Sequence, residues 1–103
     1  MYYGLHGKLV AKPGMRDAVA AILKRGVDEL AAYGCLLYIV SFDSDHSDVM
    51  WVTEVWKSAD GHAASLDSPS VKEAIAEAMP MLTGEFSGTT LSVVGGLGLP
   101  EST

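Results

Sequence analysis

Glu54, Trp56, His62 and Ser65 bring a carboxylate, an indole, an imidazole and a hydroxyl into one short stretch of this chain. An imidazole in water titrates near about 6.5, and small environmental shifts carry it across neutrality, so His62 has the chemistry of a general base. Glu54 would then orient the imidazole or a water, and Trp56 would hold a flat ring. Each group also has a plain structural role. A helix histidine caps or hydrogen-bonds, and a carboxylate on a central strand is seldom buried without a partner. A dimer or helix contact therefore suits Glu54 better than the role of base. Tyr38, Phe42, Met79 and Phe86, together with Trp51, have the bulk to wall an aromatic ligand, and core packing explains them equally well. His6 on the first strand joins them only if its side of that strand is the one the helices cover, which alternation alone does not decide.

The elements that must position these groups follow from periodicity. In VMWVTEVW, Met50, Val52, Glu54 and Trp56 alternate with Trp51, Thr53 and Val55, which puts Glu54 and Trp56 on one face of a strand. Ser58 can cap a short helix in which His62 lies beside Ser65 and Leu66, three and four residues on. Upstream, residues 3–11 read as a first strand stopped by Lys12, Pro13 and Gly14. Val19, Ile22, Leu23, Val27, Leu30 and Tyr33 then recur at helical spacing, predicting one helix over residues 15–33 with Lys24, Asp28 and Glu29 off its apolar stripe. Gly26 lies on that stripe, where it permits close packing against a sheet. Gly34 suits the left-handed position past the helix end. Residues 36–42 form the second strand, and the polar turn DSDHSD over residues 43–48 joins it to the third as an antiparallel hairpin. Ser68 and Pro69 open a last helix whose stripe is Val71, Ala74, Ile75, Ala78, Met79 and Leu82. Gly84 ends that region, residues 86–94 supply a fourth strand, and a GGLGLPEST tail follows.

Several function classes drop out on composition. Thirteen acidic against seven basic residues give a formal charge of -6, which repels nucleic acid and anionic membrane. No apolar run approaches the roughly 18 residues a bilayer span requires. A single Cys35 has no internal disulfide partner, and the first residues carry no signal peptide pattern, so a reducing cytoplasm is expected. Asp43, Asp45, Ser47 and Glu54 match positions 1, 3, 5 and 12 of a calcium loop, but position 6 is Asp48 instead of Gly and the flanks are strands. Zinc clusters, GxGxxG, P-loop and GxSxG patterns are absent from the sequence, so no metal, flavin or haem is expected.

At 103 residues, nearly half of them apolar, the chain is read as one domain over residues 1–103. The order βαββαβ is the split βαβ arrangement, a ferredoxin-like α+β fold with both helices on one face of a four-stranded antiparallel sheet. Strands two, three and four are apolar on both alternating sets, so the bare face also needs cover. A second copy in a two-fold homodimer is the economical one.

AKPG at residues 11–14, GC at Gly34 and Cys35, EVWKS at residues 54–58 and DSP at residues 67–69 occur in an order and spacing that resemble the antibiotic biosynthesis monooxygenase family, over about the whole chain. The resemblance implies a dimeric α+β barrel and oxygenation of a small phenolic or quinol-type substrate by dioxygen, without flavin, haem or metal. Many members of that family carry a His where this chain has Ser65. Here the imidazole stands at His62, nearly the same helix face. The haem-degrading branch uses an Asn, a Trp and a haem-ligating His where this chain has Gly7, Ser65 and Ile75, which disfavours haem degradation. Two other functions stay open on the same fold. One is a non-catalytic ligand-binding or stress-response dimer; the other is an isomerase using Glu54 and His62 to shuttle a proton.

Overall fold

The computed structural model describes residues 1–100; the end of the tail, Glu101, Ser102 and Thr103, lies outside the described residues. The strands are β1 (Tyr2–Ala11), β2 (Cys35–Phe42), β3 (Val49–Trp56) and β4 (Leu82–Val93), and the helices are α1 (Arg16–Lys24), α2 (Val27–Leu30), α3 (Ala59–Ser65) and α4 (Pro69–Ala78). All strand pairs are antiparallel, in the order β2-β3-β1-β4. This is the expected ferredoxin-like α+β sheet.

Residues directly opposite in an antiparallel pair point to the same face, so the register sorts the helix-covered face into rows. One row runs Phe42, Met50, Leu9 and Phe86; the next runs Val40, Val52, Gly7 and Gly88. A third runs Tyr38, Glu54, Leu5 and Thr90, and the last Cys35, Trp56, Tyr3 and Ser92. The first row leads into the solid core, where Met50, Val19 and Ala11 are at most 1% exposed and pack with Ala20 and Leu82. Full burial of a side chain such as Met50 contributes roughly 1.5–3 kcal/mol.

Two boundaries differ from the periodic reading. The expected single helix is broken after Lys24: Arg25 is extended and Gly26 takes the left-handed conformation at φ 75°, so α2 and a 3-10 turn at Ala31–Tyr33 set off in a new direction. A Cβ on Gly26 would meet nothing within 4 Å, so this glycine serves the backbone turn instead of the close packing expected of it. β4 begins at Leu82, ahead of Gly84, which sits inside the strand where its pairing to β1 slips between Leu9 and Ala11. Leu82 therefore enters the core from a strand and not from α4.

Candidate functional site

At the Tyr38 and Trp56 end of the covered face the helices stand off the sheet and leave a cavity of about 230 Å3. Tyr38, Glu54 and Trp56 form its floor; His62 and Ser65 of α3 and Val71, Ala74 and Ile75 of α4 form one wall; Ile22 and Leu23 of α1 form the other. Glu29 and Arg25 stand on the rim. A second, more open trough of about 610 Å3 shares Leu23, Tyr38 and Glu54 with it and continues over Gly7 and Gly88, where the floor has no side chains.

α3 is placed by short-range chemistry. Ser58 Oγ accepts the Gly61 amide at 3.1 Å, the expected N-cap, a contact whose loss typically costs about 1 kcal/mol. The helix lies so close to the Tyr33 carbonyl that a Cβ on Gly61 would come within 2.2 Å of its oxygen, so this approach needs glycine. His62 is thereby held over the strand end, its ring edge-on to Trp56 at 5.1 Å between centroids and tilted against Tyr3 at 5.7 Å. Ser65, 2% exposed, donates its hydroxyl to the His62 carbonyl at 2.6 Å, which commits it to the helix backbone.

Trp56, 1% exposed, donates its indole N–H to Glu54 Oε1 at 3.0 Å. Burial raises the Glu54 carboxyl above its ordinary range, and the Trp56 hydrogen bond and the nearby His62 offset only part of this. Burial also raises the Tyr38 phenol, with the Glu54 and Cys35 charges adding to it. The Cys35 thiol is raised as well, chiefly by burial. Weak acids on this floor are thus biased toward their neutral forms. The rim has the opposite character. Glu29, exposed, accepts hydrogen bonds from Ser70 and Ser68, which lower its carboxyl, and Arg25 pairs with Glu77 at 2.5 Å. The Ser68 hydroxyl thus ties α4 to α2 instead of capping its own helix.

The structure brings together His62, Glu54, Trp56, Tyr38 and Ser65 of the residues singled out in the sequence. It leaves five apart, among them Trp51, which lies on the open face. The His6 ring is on the open face, stacked on Trp51 at 5.0 Å and bonded to Thr53 Oγ1 at 3.1 Å, although its strand segment borders the trough. Phe42 and Phe86 are on the covered face but in the core row, on opposite edge strands; Phe42 is 43% exposed beneath the Arg16 guanidinium, and Phe86 is 48% exposed. Met79, 48% exposed, follows the end of α4. Glu29, Ser70 and Tyr3 escaped the sequence reading. For Tyr3 the missing signal is its register opposite Trp56, and for Glu29 it is the break at Gly26. Among the described residues no cluster of His, Cys, Asp or Glu is arranged to hold a metal ion, and none of the helices is long and apolar enough to cross a membrane.

Solved structures with this fold include a "putative antibiotic biosynthesis monooxygenase" from Chloroflexus aurantiacus J-10-fl, to which the chain is similar at 42% identity and a TM-score of 0.79, over 94% of this chain and 99% of that one. A Deinococcus radiodurans protein described in the same words is 25% identical with a TM-score of 0.72, over 92% and 95% of the two chains. A counterpart from Nitrosomonas europaea shares the fold at 14% identity, with a TM-score of 0.82 over 98% and 94%. A search of curated proteins finds no match. The family model for antibiotic biosynthesis monooxygenases matches residues 3–77, which include every strand but β4 and every residue of the His62, Glu54 and Trp56 cluster, and the chain belongs to that family.

Proposed function

We propose that this protein is a cofactor-independent monooxygenase that oxidises a small aromatic, quinol-type molecule in the cavity between sheet and helices. The observation that carries the reading is His62 set edge-on over Trp56, beside Glu54, in a cavity whose walls are mostly apolar and whose rim carries Arg25 and Glu29. His62 accepts the proton of a substrate hydroxyl, and the electron-rich anion reduces dioxygen itself. Overall the substrate loses two hydrogens and gains one oxygen atom, while the second oxygen leaves as water with those hydrogens, so the substrate supplies every electron. The protein's tasks are deprotonation, orientation of the ring and exclusion of water. Independence from haem is supported by Gly7, Ser65 and Ile75 at the positions where the haem-degrading branch places its functional side chains.

The working unit of this reading is a cytoplasmic homodimer. Its support is the open sheet face, where Ile39 is 46% and Leu91 48% exposed, and the absence of a second cysteine to pair with Cys35. Light scattering during size exclusion should give the mass of two chains.

Oxygen consumption with a panel of phenols and hydroquinones tests the activity: uptake matched to oxygenated product is expected. The Glu54 and His62 pair also suits proton transfer on a hydroxyketone, and exchange of solvent deuterium into such a substrate without oxygen uptake would replace oxygenation by isomerisation. Neither activity, with ligand still bound, would leave a binding protein.

A further inference from the structure

A substrate anion formed by His62 gains from a hydrogen-bond donor facing its oxygen, and the donors on the cavity's floor and walls are mostly committed. Trp56 donates to Glu54, Ser65 to the His62 carbonyl and Ser70 to Glu29, while Arg25, on the rim, directs one of its five N–H groups to Glu77. The Tyr38 hydroxyl has no hydrogen-bond partner among the described residues. No polar side-chain atom among them is both sealed from solvent and unpaired, so this oxygen is open to solvent on a residue that lines the cavity. Tyr38 also borders both compartments, directly across the strand pair from Glu54, where the enclosed cavity meets the glycine-floored trough.

We infer that the Tyr38 hydroxyl is the group that meets the ligand's oxygen, donating its proton as a hydrogen bond to the phenolate that His62 generates. The assignment rests on the cavity of the proposed function and deepens it: the ligand is a hydroxylated ring whose oxygen lies at the joint of the two compartments, with the remainder free to extend over Gly7 and Gly88. The burial that keeps the Tyr38 phenol protonated suits a donor, because a tyrosinate would repel the anion it has to hold. The neighbouring Glu54 carboxyl, raised by the same burial, can stand beside a phenolate with less repulsion than an ordinary carboxylate.

The test compares two probes that differ at one oxygen, ionised in 4-nitrophenol above its own pKa and methylated in 4-nitroanisole, binding to wild type and to Tyr38→Phe. The Phe ring preserves the cavity wall, and equal melting temperatures would verify the fold. The variant should bind 4-nitrophenolate about ten- to a hundredfold more weakly, as expected for a lost hydrogen bond to a charged group, and 4-nitroanisole with unchanged affinity. Equal losses for both probes would mean that Tyr38 is only a wall, and undiminished phenolate binding would also overturn the assignment. Failure of both probes to bind wild type would overturn the cavity as a site, and this inference with it; failure of the phenolate alone would overturn the inference. The expected pattern without oxygen uptake from any phenol would sink the oxygenase reading alone, since the donor role is measured by binding.

Discussion

β3 carries two tryptophans, and each donates its indole N–H to a carboxylate: Trp51 to Asp43 at 2.9 Å and Trp56 to Glu54 at 3.0 Å. The hydrogen bonds are alike, but the carboxylates respond in opposite directions. Asp43, at the hairpin turn on the open-face side, also accepts the Asp45 and His46 amides and a ring nitrogen contact from His46, and is lowered to about 2. Glu54, on the covered floor, is raised because burial outweighs its indole partner. The difference teaches that one hydrogen bond does not set the character of a carboxylate. Further amides and solvent make Asp43 a fixed anion that shapes a turn, whereas desolvation raises the Glu54 carboxyl beside His62.

The largest effect that would break this contrast lies with His62. If proton transfer belongs to the covered face, His62→Ala should lower turnover by about 10² to 10⁴ with the fold intact, and Asp43→Asn should leave turnover per folded molecule unchanged. Loss of thermal stability from His62→Ala with turnover unchanged would make the imidazole a structural group. A smaller effect sharpens the open-face half. A carboxyl depressed in the folded state stabilises above its unfolded pKa of about 3.9 and loses that contribution as pH falls towards about 2. Wild type should therefore melt higher than Asp43→Asn near neutrality, and the gap should close across that acid window. The smallest effect runs the other way. Glu54 is raised in the fold, so its contribution is fully present below the unfolded value of about 4.3 and declines as pH rises through the folded pKa. Glu54→Gln should consequently gain in melting temperature relative to wild type as pH increases; a gap that stays constant with pH would show that burial does not control this carboxyl.

The covered cluster was legible in the sequence because it is local. Strand alternation put Glu54 and Trp56 on one face, and the Ser58 cap set the helix that brings His62 back over them. What alternation cannot give is the row, because a period of two separates faces without saying which cross-strand neighbours meet. Phe42 and Phe86 are thus on the covered face but at its other end, and the face of His6 stays undecided until its register opposite Thr53 places it on the open one. The break at Gly26 was hidden for another reason. Apolar spacing continues through Val27 and Leu30, so one left-handed dihedral changes where Glu29 points without disturbing the pattern. Gly84 misled similarly, since a glycine within a slipped strand pairing and one ending a helical region look the same in sequence.

The two indoles also give the chain a pair of optical reporters that need no dye. Trp51 and Trp56 are its only tryptophans, and they sit toward opposite ends of the same strand, one per face. Trp56 forms part of the cavity floor, so its emission responds to what enters there; Trp51 stacks with His6 on the open face, so its emission responds to what covers that face. Trp51→Phe would leave a reporter of the cavity and Trp56→Phe a reporter of the open face, so a change at either face could be followed separately in one protein.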